Sequence, residues 1–267
     1  MRPVPHWTTV AIAMLIVVFL LAPLIATIPV SFTSERFLSM PNGNWSLRHY
    51  EKVFTDPGWL GAIRTSALVA LVAGTLATIL AGLFCVGIWL ARPWGAAALV
   101  GIVLAPMAIP PIISSLALYF FVSRAGLQDS LPGVFLAHVV MAAPFAVVIL
   151  MVALSLVDRR NELAARNLGA SLGQTVAWVI LPQIRGALIS AWFLSFMLSW
   201  EEISVTLFVS GYRIVTLPRQ IWSGLRDNVD PAIAVASAVM IVLTAAALLV
   251  RALWKGFHAR PGRRPDA

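Results

Sequence analysis

Two adjacent acids, Glu201 and Glu202, interrupt the apolar stretch FLSFMLSWEEISVTLFVSG. An ionised carboxylate at the bilayer centre costs roughly 2.5–3.5 kcal/mol on insertion scales, so acids placed there face protein or water and mark pathways by default. Adjacent helix positions diverge by about 100°, so both acids serve one contact only where the helix unwinds locally. One acid is therefore expected to line a cation pathway or gate while the other pairs with a neighbouring helix or stays protonated. A buried hydrogen-bonding acid is the structural alternative. Trp200, beside them, offers a ring face for cation–π attraction.

His138 stands in another apolar stretch with no His or carboxylate three or four positions away. Hydrogen bonding between helices is the expected role, ahead of a proton relay or a metal ligand. Cys85 is the single cysteine, which excludes an internal disulfide and leaves no second thiol for a metal cluster. It is expected to pack as a small apolar residue. No G-x-x-x-x-G-K-[ST], H-E-x-x-H or G-x-S-x-G pattern occurs, so neither ATP hydrolysis nor the usual hydrolase chemistry belongs to this chain. No catalytic residue and no metal site is assigned.

The elements that position these residues follow from composition. Of 267 residues, 60% are hydrophobic and 11% charged, against about half and a quarter in soluble domains. The net charge of +8 is spread in short islands rather than on one basic face, which argues against nucleic acid. Six stretches reach the roughly 20 apolar residues that cross a bilayer as a helix: 10–30, 62–90, 96–122, 134–156, 187–209 and 231–253. They are continuously apolar rather than alternating, so helices are expected and barrel strands are not. The first exceeds a secretory leader's apolar core and is expected to stay as a span. An even number of spans places both termini on one side. The Lys and Arg distribution, above all the tail with Arg260, Arg263 and Arg264, puts that side in the cytoplasm. The connections then lying outside, 31–61 and 211–230, carry Trp45, Tyr50, Trp59, Tyr212 and Trp222, suited to anchoring at the headgroups.

Small residues four apart let membrane helices approach closely. The second span has two such rows, Gly74, Thr78 and Gly82 beside Ala73, Ala77 and Ala81. Pro106, Pro110 and Pro111 predict a kinked or broken third span, and Pro144 a bend in the fourth. Broken backbone at membrane depth is tolerated only against protein or a watery cavity, so the third span is expected to border a pathway.

The inside connection 157–186 reads VDRRNELAARNLGASLGQTVAWVILPQIRG. A short helix over 164–168, interruptions at Gly169 and Gly173 and a stop at Pro182 are expected. This stretch resembles the E-A-A-x3-G-x9-I-x-L-P loop of permease subunits in binding-protein-dependent ABC importers. Ala164, Ala165, Gly169, Leu181 and Pro182 match, Val179 replaces Ile, and Leu163 stands in place of the motif's Glu, with Glu162 one residue earlier. The resemblance implies that residues around Glu162, Ala164, Ala165, Gly169, Ala170, Leu181 and Pro182 couple the chain to an ATPase subunit.

The S-x-x-L-S stretch before Glu201 and Glu202, and Leu217–Pro218 after the next turn, further resemble the second membrane subunit of spermidine/putrescine-type importers. Permeases for ferric iron or amino-acid-like solutes share much of this pattern. What the resemblance implies is an all-α membrane protein of the MetI-like, type I ABC importer permease fold in a bacterial inner membrane. Residues 1–61 would form the first span and its outside loop, 62–253 the permease core, and 254–267 a basic tail. Expected partners are a second permease chain, two ATPase subunits that bind the ATP and Mg, a periplasmic solute-binding protein and the bilayer. The implied cargo is a small organic cation such as a polyamine, met by Trp200, Glu201 and Glu202. A proton-coupled carrier is the competing class.

Overall fold

The computed structural model describes residues 6–227 and 230–258. Arg2 and the tail cations Arg260, Arg263 and Arg264 lie outside the described residues. The chain divides into two compact units, residues 1–60 with 221–267, and residues 61–220.

In the first unit, α1 (His6–Val30) packs on the last helix of the chain, Ala232–His258, and so does the short α2 (Arg48–Thr55). Asp230 starts that last helix by accepting the Ala232 N–H at 2.9 Å, and it also pairs with Lys52. Desolvation raises the Asp230 carboxyl, but the Lys52 ammonium and the Ala232 N–H outweigh it and hold the group below its usual range.

The second unit holds most of α3 (Pro57–Ala91), then α4 (Ala96–Ala108), α5 (Pro111–Arg124) and α6 (Leu131–Ser155). After these come α7 (Arg159–Asn167), α8 (Leu172–Thr175), α9 (Leu181–Glu201), α10 (Ser204–Val209) and the start of α11 (Leu217–Asp227); the helix Ala232–His258 is α12. Among the described residues, five helices are long and apolar enough to cross a bilayer, or six when α4 and α5, which pass the same test together across a sharp bend, count as one span. The 109° bend has a local cause. Ile109 and Pro110 each precede a proline, which disfavours the helical region, and both are extended, with ψ of 134° and 136°. Pro111 then fits the first turn of α5, where its missing N–H is no loss. By contrast α6 runs through Pro144 as one helix.

Both small-residue rows of α3 are used. Ala73 and Ala77 pack with Val139 and Ala142 of α6. The other row meets α9: a Cβ at Gly74 would lie 3.0 Å from the Phe196 backbone nitrogen, so any larger residue would require α9 to shift by a few tenths of an ångström. Cys85 packs with Leu150, Leu154, Ile180 and Ile184 as a small apolar residue.

One polar clamp closes the end of this unit. Asp129, at φ +52°, accepts N–H groups from Gly211 at 2.8 Å and from Tyr212 and Arg213 at 3.2 Å. Desolvation raises its carboxyl, but these backbone donors together outweigh that and hold it below the ordinary range. A depressed folded value means stabilisation that is present above the unfolded carboxyl value and lost as pH falls through the folded one. Asp129→Asn is expected to cost about 1 kcal/mol at pH 7, after discounting for solvent screening, or roughly 3 °C in Tm. In thermal melts of the detergent-solubilised protein, the gap between wild type and variant should narrow as pH falls below the ordinary carboxylate range.

Candidate functional site

The helix carrying the two acids ends where they stand. Glu201 is the last residue of α9, Glu202 is extended at φ −72°, ψ 119°, and α10 restarts at Ser204. The pair therefore does not ride on one continuous helix through the fifth span. Glu202 Oε1 accepts the Val205 N–H at 3.1 Å, so the acid caps α10, where exposed N–H groups and the helix dipole favour negative charge.

Glu202 also lines a cavity of about 170 Å³ with Pro111, His138, Met141, Phe145, Leu198 and Ser199. Four helical segments converge there: the proline break, the middle of α6, the end of α9 and the linker to α10. Its wall is mostly apolar, with a carboxylate, an imidazole and a hydroxyl as the polar groups. Such a lining suits a cation with an apolar stem. At the break in the third span, Pro111 forms part of this cavity's wall.

Glu201 and Trp200 are placed differently. Glu201 is exposed, whereas Trp200 is buried and ends a stack running along α9, with ring centroids 5.6 Å apart for Trp192 and Phe196 and 6.1 Å for Phe196 and Trp200. Trp200 does not line the cavity. His138 bridges helices as expected, with Nδ1 2.8 Å from Ser199 Oγ and Nε2 3.2 Å from Thr206 Oγ1.

The connection 157–186 folds mostly as helix. Asp158 caps α7 through the Arg160 N–H at 2.9 Å. Gly169, at φ +88°, ends the motif with two turn bonds, Gly169 N–H to Arg166 O and Ala170 N–H to Ala165 O. Ser171 and Gln174 then form a capping box that starts α8. Two expectations are corrected here. Gly173 sits inside α8 rather than interrupting a helix, and Pro182 stops nothing because it lies in the first turn of α9. A π turn, Val176–Ile180, joins the two helices, its cap closed by the Leu181 N–H donating to the Val176 carbonyl.

Glu162 is buried and pairs with Arg166 at 3.3 Å, while Leu163, Leu168 and Leu172 are exposed around the Gly169 turn. Ala164 and Pro182 are exposed, Ala165, Ala170 and Leu181 half-buried. The Arg159 guanidinium lies 4.4 Å from the Trp89 ring centroid and donates to the Trp89 carbonyl, fastening the start of α7 to the end of α3.

Residues 83–260 match the family described as binding-protein-dependent transport system inner membrane component. The chain belongs to that family. This permease is 31% identical over 236 residues to the spermidine/putrescine transport system permease protein PotC of Haemophilus influenzae, covering 88% of its own length and 91% of the relative's. It is 36% identical over 204 residues to a probable molybdenum ABC transporter permease protein of Haloferax volcanii, covering 72% and 76%. In fold it matches a chain of a bacterial ABC transporter for import of the acidic polysaccharide alginate, at a TM-score of 0.68 and 14% identity, covering 96% and 99%.

The permease is thus a multi-pass inner-membrane protein. Sequence reasoning singled out Glu202 but missed the cavity around it. Pro111 was visible as one of the prolines breaking a span expected to border a pathway, and His138 as a hydrogen-bonding group between helices, but nothing in their spacing joined them to Glu202. Met141 and Phe145 carried no signal, and Ser199 entered only as the end of the S-x-x-L-S stretch, since ordinary residues on separate helices become a site only by convergence.

Proposed function

We propose that the permease forms, with a second permease chain, the membrane path of an ATP-driven importer for small organic cations of the polyamine class. Two partner ATPase subunits hydrolyse the ATP, and a solute-binding protein delivers the cargo from outside. Both termini lie in the cytoplasm, following the Lys and Arg distribution. The loop around Gly169 is the docking surface for an ATPase: exposed leucines around a glycine turn offer an apolar contact, and α7 is fastened to α3 through Arg159 and Trp89. Closure of the ATPases pushes this loop and rocks the spans, and the loaded binding protein favours the outward-open state by its differential affinity.

The observation that carries the choice of cargo is Glu202 in the apolar cavity. The relatives diverge on this point, since one is named for spermidine and putrescine and another for molybdenum. Molybdenum travels in water as an oxyanion, and a carboxylate at a constriction repels anions and attracts ammonium groups.

The test is uptake by proteoliposomes containing the complete importer, with ATP inside and loaded binding protein outside. Radiolabelled putrescine should accumulate only with ATP, and molybdate should not. Accumulation of molybdate instead overturns the assignment of cargo. Putrescine uptake driven by a pH gradient without ATP overturns the mechanism.

A further inference from the structure

We propose that His138 is a positioning residue that holds Glu202 at the cavity by stapling the two halves of the broken fifth span. The inference rests on the reading of Glu202 as the cation contact and goes beyond it by naming what keeps that carboxylate in place.

The geometry is specific. Glu202 and Ile203 alone separate α9 from α10. Glu202 caps α10 through Val205, so the direction of its carboxylate depends on where α10 begins. His138 reaches one residue on each side of this linker: Ser199, three before Glu202, at 2.8 Å, and Thr206, four after it, at 3.2 Å. All three are buried, with 1%, 5% and 0% of their surfaces exposed. A neutral imidazole has one donor and one acceptor nitrogen, and each hydroxyl can take either role, so both bonds form in either tautomer. Removing the ring leaves two buried hydroxyls without this partner and frees α10 to turn about the linker. His138 and Ser199 themselves line the cavity, so the staple and the site are one structure.

The experiment compares His138→Leu, His138→Gln, Glu202→Gln and the double variant His138→Leu/Glu202→Gln in the reconstituted importer. Readouts are the maximal rate of putrescine uptake at saturating binding protein, ATPase activity and recovery of the assembled complex. His138→Leu should lower uptake about tenfold while the assembled complex is still recovered. Gln, which keeps a donor and an acceptor, should restore at least half of the rate. The double variant should be no slower than Glu202→Gln alone, because the staple acts through that carboxylate.

Normal uptake by His138→Leu beside a defective Glu202→Gln overturns the staple and leaves the pathway reading intact. So does an additive loss in the double variant. Normal uptake by Glu202→Gln overturns the pathway reading itself. Should His138→Leu fail to assemble, Ser199→Ala and Thr206→Val each cut one arm; partial loss in both supports the staple, and wild-type rates in both overturn it.

Discussion

Gly169→Asp is expected to lower ATP-driven uptake more than tenfold while the permease still inserts and assembles with its partner chain. Gly169 has φ +88°, and among the described residues a Cβ built there meets nothing within 4 Å beyond its own chain neighbours. The internal penalty is then backbone strain of about 1–2 kcal/mol, and Asp tolerates the left-handed region better than most residues. A loss much larger than this strain explains must come from a surface outside the chain. Exposed Leu163, Leu168 and Leu172 surround the turn, so a docked ATPase would meet the new carboxylate across an apolar contact and leave it desolvated without a partner. Gly169→Ala carries the strain without the charge and should lose no more than about half of the rate. Uptake and ATPase activity measured together separate uncoupling from misassembly. Unchanged transport by the Asp variant would refute docking at this turn.

Glu202→Gln is expected to lower cation uptake at least tenfold, and Glu201→Gln to leave it within twofold. Gln keeps an oxygen for the Val205 N–H, so α10 stays capped and only the charge is removed. An ammonium 4 Å from a carboxylate gains about 4 kcal/mol at an effective dielectric of 20, and a loss of only about 1.4 kcal/mol already slows transit tenfold. Glu201 is exposed at the end of α9 and lines no wall of the cavity shared by Glu202, His138 and Ser199, so removing its charge leaves the polar groups of that cavity in place. Equal defects in the two variants would place the path on the Glu201 side as well. Normal uptake by both would remove the acids from the pathway.

The permease keeps a substantial part of its design in local sequence. Apolar runs of sufficient length force membrane helices because backbone groups in hydrocarbon must bond within their own segment. Consecutive prolines force the break between α4 and α5 because each acts on the residue before it. The Gly169 turn is equally local, since a left-handed C-cap calls for glycine. Pro182 shows the limit of such reasoning: proline within a helical run reads as a stop, yet here it stands in the first turn of α9, directly after a π turn.

The apolar spans, the break at Pro110–Pro111 and the turn at Gly169 were thus determined by the sequence itself, because each depends on residues close together in the chain. Tertiary structure alone decided which acid meets the cavity. His138 reaches Ser199 across 61 positions and Thr206 across 68, and Pro111 enters from a different span again. Helical periodicity relates residues only on their own helix. The unwinding at Glu202, which separates two adjacent acids into an exposed one and a cavity-lining one, comes from packing between helices that no spacing within a single span encodes.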